Sequence, residues 1–135
     1  LILNVKEAGI EDEILRLVRM RQQIKSYFLL DVEFPYLYRA SRNGERDVAV
    51  RFSEAESIET VKKYIDKVDW VWIDTQSKLP IRKNNINILN CFKTCLVCPE
   101  RWGRPEDIYK YSKKIKEKNI NINCVMTSYS ESIKW

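Results

Sequence analysis

Six short runs of aliphatic, aromatic and β-branched residues each finish on, or carry near their end, a polar side chain with chemistry to offer. They are Lys6 after Leu1–Val5, Asp31 after Tyr27–Leu30, Arg51 within Asp47–Phe52, Asp74 within Asp69–Thr75, Glu100 just past the run that stops at Pro99, and Thr127 closing Asn121–Thr127. Side chains alternate across a strand, so a set of parallel strands brings such residues to one rim. Cations at a rim stabilise phosphoryl charge, and carboxylates hold a divalent ion or orient hydroxyl groups, so the mixture suits a phosphodiester. The plainer alternative is that these acids and bases pair with one another at strand ends.

The densest such place is Thr94 to Asp107. An apolar run stops at Pro99, a turn carries Glu100, Arg101, Trp102, Gly103 and Arg104, and a helix is expected to open at Pro105 with Glu106 and Asp107 in its first turn. Guanidinium forks beside a helix N-terminus favour an anion, which makes Arg101 and Arg104 substrate-binding candidates; their plain alternative is pairing with Glu100 and Glu106. Trp72 shares a face with Asp74 and lies one layer deeper, where it can wall an apolar or glycerol-like pocket. Asp31 and Glu33 also share a face, Glu33 reading as a solvated loop acid. Cys95 and Cys98 have the spacing of a redox or zinc half-site, but positions i and i+3 of a strand point to opposite faces, so they read as buried structural thiols.

The elements that must place these residues alternate strand and helix. Gly9 precedes a helix carrying Ile14, Leu15, Val18 and Ile24; Pro35 closes a loop before a short helical or irregular piece and a turn at Asn43–Gly44. Ser53 can cap a helix carrying Ile58, Val61, Tyr64 and Ile65. Ile86 to Phe92 reads as a short helix, Pro105 to Lys118 as a longer one, and a last short helix runs to Trp135. Strand starts recur at about 20 to 27 residues, the interval of β/α units with parallel strands. Two architectures are open, a doubly wound sheet or most of an eight-stranded barrel lacking its first two units. No glycine-rich phosphate turn or P-loop follows any strand, which favours the barrel.

Bulk properties narrow the partners. The 135 residues, 44% of them hydrophobic, suit a single α/β domain over 1–135. The formal charge of +5 is interleaved with acids rather than gathered into a stripe, which argues against nucleic acid. No apolar run approaches the ~20 residues of a membrane span, no signal-peptide pattern opens the sequence, and four cysteines without a framework spacing favour the cytoplasm. There is no histidine, so the commonest general acid/base is absent from these residues. The sequence opens at Leu1 inside a strand-like run, and with no histidine that points to a missing N-terminal segment.

The strand ends resemble a known family. Leu3-Asn4-Val5-Lys6-Glu7-Ala8-Gly9-Ile10, Tyr27–Asp31 with Pro35, Val50-Arg51-Phe52-Ser53-Glu54, Val71-Trp72-Ile73-Asp74, Leu96–Arg104 and Cys124–Tyr129 stand in the order and spacing of glycerophosphodiester phosphodiesterase-like members of the phosphatidylinositol-phospholipase-C-like barrels. The likeness covers nearly the whole chain and corresponds to barrel strands three to eight. The His-Arg-Gly, Glu-x-Asp and second-histidine motifs of strands one and two have no counterpart here. Lys6 matches the family's strand-three lysine, Asn4 stands where a metal-binding Glu usually precedes it, and Ser128 departs from the usual closing Thr-Asp.

The resemblance implies a partial TIM-type barrel and, in the complete protein, metal-dependent hydrolysis of a phosphodiester small molecule. Histidines from outside this chain would act as acid and base, Lys6 would stabilise developing charge, and Arg51, Arg101 or Arg104 would touch phosphate. A divalent metal, Mg or Ca, is expected with its ligands mostly outside this chain. Asn4, Ser128 and the missing histidines point to the alternative, a non-catalytic barrel that binds a phosphorylated or sugar-like ligand or a protein partner. An open flavodoxin-like interaction domain is a third possibility.

Overall fold

The computed structural model describes residues 1–135. All six expected strands form, each trimmed to the part of its apolar run that finds a neighbour: β1 Ile2–Asn4, β2 Phe28–Leu30, β3 Ala49–Phe52, β4 Trp70–Ile73, β5 Lys93–Val97 and β6 Cys124–Met126. Every pairing is parallel, so the protein is α/β with parallel strands. β1 pairs with β2, and β3 to β6 form a second sheet in chain order. A bridge between Leu29 and Val48 links the two, with the Leu29 amide donating to the Asp47 carbonyl at 2.8 Å. The succession therefore runs from β1 to β6 without the reversal that a doubly wound or flavodoxin-like sheet requires.

Between the strands lie α1 (Glu11–Arg19), α2 (Phe34–Arg42), α3 (Ile58–Lys62), α4 (Ile86–Leu89) and α5 (Asp107–Glu117). Several boundaries differ from the sequence reading, for local reasons. α1 stops at Arg19, short of Ile24. Pro35 sits in the first turn of α2 instead of closing a loop, as suits its fixed φ and missing N–H. Ser57, not Ser53, caps α3, its Oγ accepting from the Glu59 amide at 3.1 Å, while Ser53 Oγ accepts from the Ala55 amide and holds the loop before it. The segment after β5 is a 3-10 turn, Pro99–Trp102, closed by Gly103 at φ 72°, and α5 opens at Asp107 rather than Pro105. The final segment, Tyr129–Lys134, is also 3-10.

Alternation along the strands builds two cores. One face sends Leu29, Val48, Val50, Val71, Ile73 and Leu96 against the helices, where Leu15, Leu37, Val61, Leu89 and Tyr111 cover them. The other face carries Phe28, Leu30, Ala49, Trp70, Trp72, Cys95 and Val97, and this cluster is drawn wholly from strands. Phe28 stacks on Trp70 with ring centroids 4.6 Å apart and meets Trp72 edge-on at 6.5 Å. β2 and β4 are separated by β3, roughly 9.6 Å in a flat sheet, so their rings reach each other over the small side chain of Ala49.

Candidate functional site

The polar ends of β1 to β4 converge just beyond this second face. Asp31 occupies the centre. By alternation it belongs with Leu29 on the helix side, but its φ of 59° is left-handed, a conformation aspartate tolerates better than most residues, and the turn brings the carboxylate back to the rim. There Asp31 Oδ2 receives Lys6 Nζ at 3.3 Å and Oδ1 receives Arg51 Nη1 at 2.5 Å. Arg51 continues the chain: Nη2 donates to Asp74 Oδ2 at 3.1 Å, and Nε lies 2.9 Å from Glu56 Oε1. Asp74 Oδ1 in turn accepts from the Thr75 amide at 2.9 Å and the Trp102 indole at 3.0 Å.

Four strands and the loop after β5 are thus tied into one network. Burial disfavours the charge on Arg51, but Glu56, Asp31 and Asp74 outweigh it and hold the guanidinium firmly protonated. Asp74 is almost buried, with 7% of its side chain exposed, whereas Lys6 is open to solvent. Glu56 was missed by the sequence reading. Its signal was position: it lies in the loop after β3, five residues past Arg51, and such loops crowd the C-terminal rim of parallel strands.

The other candidates are placed as follows. Trp72, 6% exposed, lies beneath the rim beside Phe28, one layer below Asp74. Glu100 and Thr127 bond each other, the Thr127 hydroxyl donating at 2.6 Å and the Ser128 amide at 3.0 Å to Glu100 Oε1. Arg104 turns inward, donating to the carbonyls of Thr75 at 2.6 Å and Gln76 at 2.7 Å and pairing with Asp107 at 3.2 Å. Its donors fasten the β5–α5 loop to the end of β4 and are not free for an anion. Arg101 is exposed beside Trp102, which is itself 40% exposed. Cys95 and Cys98 are both buried; Cys95 lies opposite Cys124 on β6, and no cysteine is in a disulfide.

Chemically the rim holds three carboxylates around one guanidinium, an ammonium at its edge and a half-exposed indole face. Carboxylate lone pairs not used by Arg51 can accept from hydroxyl groups, and the indole offers an apolar wall, a set that suits a polyol. Asp31, Glu56 and Asp74 all aim at Arg51, and no group of three or more His, Cys, Asp or Glu is arranged to hold a metal ion. The donor set present therefore does not fit the expected Mg or Ca by itself. No helix is long and apolar enough to cross a membrane. No protein-family model, curated protein or solved structure matches this chain.

Glu100 yields a prediction about pH. Burial raises its pKa, but the Cys98 thiol, the Thr127 hydroxyl and the Ser128 amide together outweigh that and hold it below its ordinary 4.5. A depressed carboxylate adds stability above pH 4.5 and loses it as pH falls through the lowered value. Glu100→Gln is therefore expected to cost about 1 kcal/mol at pH 7, and thermal melts should show the gap to wild type closing below pH 4.5. A gap that stays constant with pH would contradict this role.

Proposed function

We propose that the rim formed by Lys6, Asp31, Arg51, Asp74 and Trp102 is the binding site for a phosphorylated polyol. In this reading the six strands are strands three to eight of a TIM-type barrel, and the complete protein hydrolyses a glycerophosphodiester with a divalent metal. The observation that carries it is the meeting of four strand ends and one loop in a single hydrogen-bonded network at the C-terminal ends of parallel strands, where β/α barrels place their ligands. The in-order strand succession and the strand-only cluster of Phe28, Trp70 and Trp72 support the barrel.

The roles follow from reach. Lys6, charged and open, meets the phosphoryl oxygens. Asp31 and Asp74, held in place by Arg51, orient the glycerol hydroxyls, while Trp102 covers the carbon backbone of the ligand. Arg51 positions the carboxylates rather than the phosphate, because all three of its nitrogens already face acids. In the complete protein, acid and base would come from histidines, and the metal's ligands from carboxylates, on strands one and two.

Two observations favour a second reading, a non-catalytic barrel that binds such a ligand without turnover: every nitrogen of Arg51 already faces a carboxylate, and Asn4 stands where the resemblance places a metal-binding acid. Assay of the complete protein with Mg on several glycerophosphodiesters separates the two. Release of glycerol 3-phosphate is expected; folded protein that binds the substrates but leaves them intact would overturn the hydrolase and keep the binder.

A further inference from the structure

A second site lies on the helix side of the sheet, away from the rim. The stripe Phe34, Tyr38 and Arg42 of α2 and the residues Lys63, Tyr64 and Lys67, just past the C-terminus of α3, line one cleft of about 400 Å³. That volume falls in the range of small-ligand pockets, roughly 300–1,000 Å³. Three aromatic rings and three cations line it together with two hydroxyl residues, and no carboxylate does. In four other clefts the cations share the lining with carboxylates. The larger cleft beside α5, about 710 Å³, sets Lys113, Lys116 and Lys134 against Glu106 and Glu117.

The rings are arranged for a flat ligand. Phe34 meets Tyr64 edge-on, centroids 6.4 Å apart and planes at 86°, so the floor ring stands fixed while Phe34, 59% exposed, presents open face. Tyr38 is 53% exposed, and Arg42 lies over it at 4.6 Å while donating to its hydroxyl at 3.0 Å. That pair makes a preformed cation–aromatic platform. At the other side Lys67 Nζ donates to the Lys63 carbonyl at 2.9 Å, and Lys63 and Lys67 both line the cleft, whose lining includes no acid.

Exposed aromatic area is unfavourable in water and like charges repel, so both features are relieved by one kind of occupant. We infer that the α2–α3 cleft binds a small planar aromatic molecule carrying a phosphate group, of nucleoside monophosphate size, with the ring against Phe34 and Tyr38 and the phosphate on Lys63 and Lys67.

Titration with AMP, adenosine and inorganic phosphate, followed by amide and side-chain NMR shifts, tests this. AMP is expected to shift Phe34, Tyr38, Lys63 and Lys67, and adenosine or phosphate alone to bind roughly tenfold more weakly, since each keeps only half of the contacts. Lys63→Glu should weaken AMP roughly tenfold, while Lys134→Glu, an equal charge change on the α5 side, should leave it unchanged. Both positions are exposed, and circular dichroism is to check that the variants fold. Absence of AMP binding, equal binding of adenosine, an equal loss in Lys134→Glu, or shifts confined to the strand-end rim would each overturn the assignment. None of these outcomes depends on the rim being a polyol site.

Discussion

Replacing Arg51 by methionine is expected to lower the free energy of unfolding by about 3 kcal/mol, the low end of what stranding a buried charge costs. The low end applies because a third of the Arg51 side chain is exposed, whereas Asp74 has only 7% to offer to water. The loss comes from the acids left behind: Asp31, Glu56 and Asp74 converge on one guanidinium, and without it they repel at short range. Denaturant unfolding of a double-mutant cycle isolates the cause. Asp74→Asn should destabilise the wild type but be neutral or stabilising in the Arg51→Met background. Equal effects of Asp74→Asn in both backgrounds would mean that Arg51 does not hold the rim together.

Trp72→Ala is expected to cost more, about 3–5 kcal/mol. Its ring sits in the strand-only cluster against Phe28, on a face without helices to settle into the void, so relaxation there requires the strands themselves to move. Trp102→Ala provides the contrast. That indole is 40% exposed and makes one side-chain hydrogen bond, to Asp74, so its loss should cost about 1 kcal/mol. Urea midpoints of the two variants decide the matter; similar losses would mean that the second face is not a packed core.

The strands were readable because each is a short apolar run bounded by turn residues, and Val48–Val50 and Val71–Ile73 place their apolar and polar neighbours on the faces alternation assigns. Helix ends were less readable, since they depend on choices between nearby groups: Ser57 wins the cap that Ser53 also offers, and the 3-10 turn at Pro99–Trp102 delays α5 to Asp107. At the site, Lys6, Arg51 and Asp74 stood out as polar strand ends. Asp31 reaches them only through a left-handed backbone that no periodicity reveals. Arg104 looked equivalent to Arg101 in the sequence, and only the tertiary fold shows that it is spent on the Thr75 and Gln76 carbonyls. Glu56 needed the same information, because a loop acid acquires a role only when the chain folds it over Arg51.

The unpaired outer edges of β1 and β6 leave backbone groups open, the usual route to strand-edge association, so ligand measurements belong at low protein concentration. The Trp102 indole N–H is the best reporter of the rim, since it donates to Asp74 and sits among the groups assigned to the ligand. Its NMR resonance, followed while glycerol 3-phosphate is added, tests the central claim most directly. A saturable shift of that signal together with Lys6 and Thr75, abolished in Lys6→Glu, is expected; a resonance that stays unmoved at saturating ligand would contradict a polyol phosphate site at the strand ends.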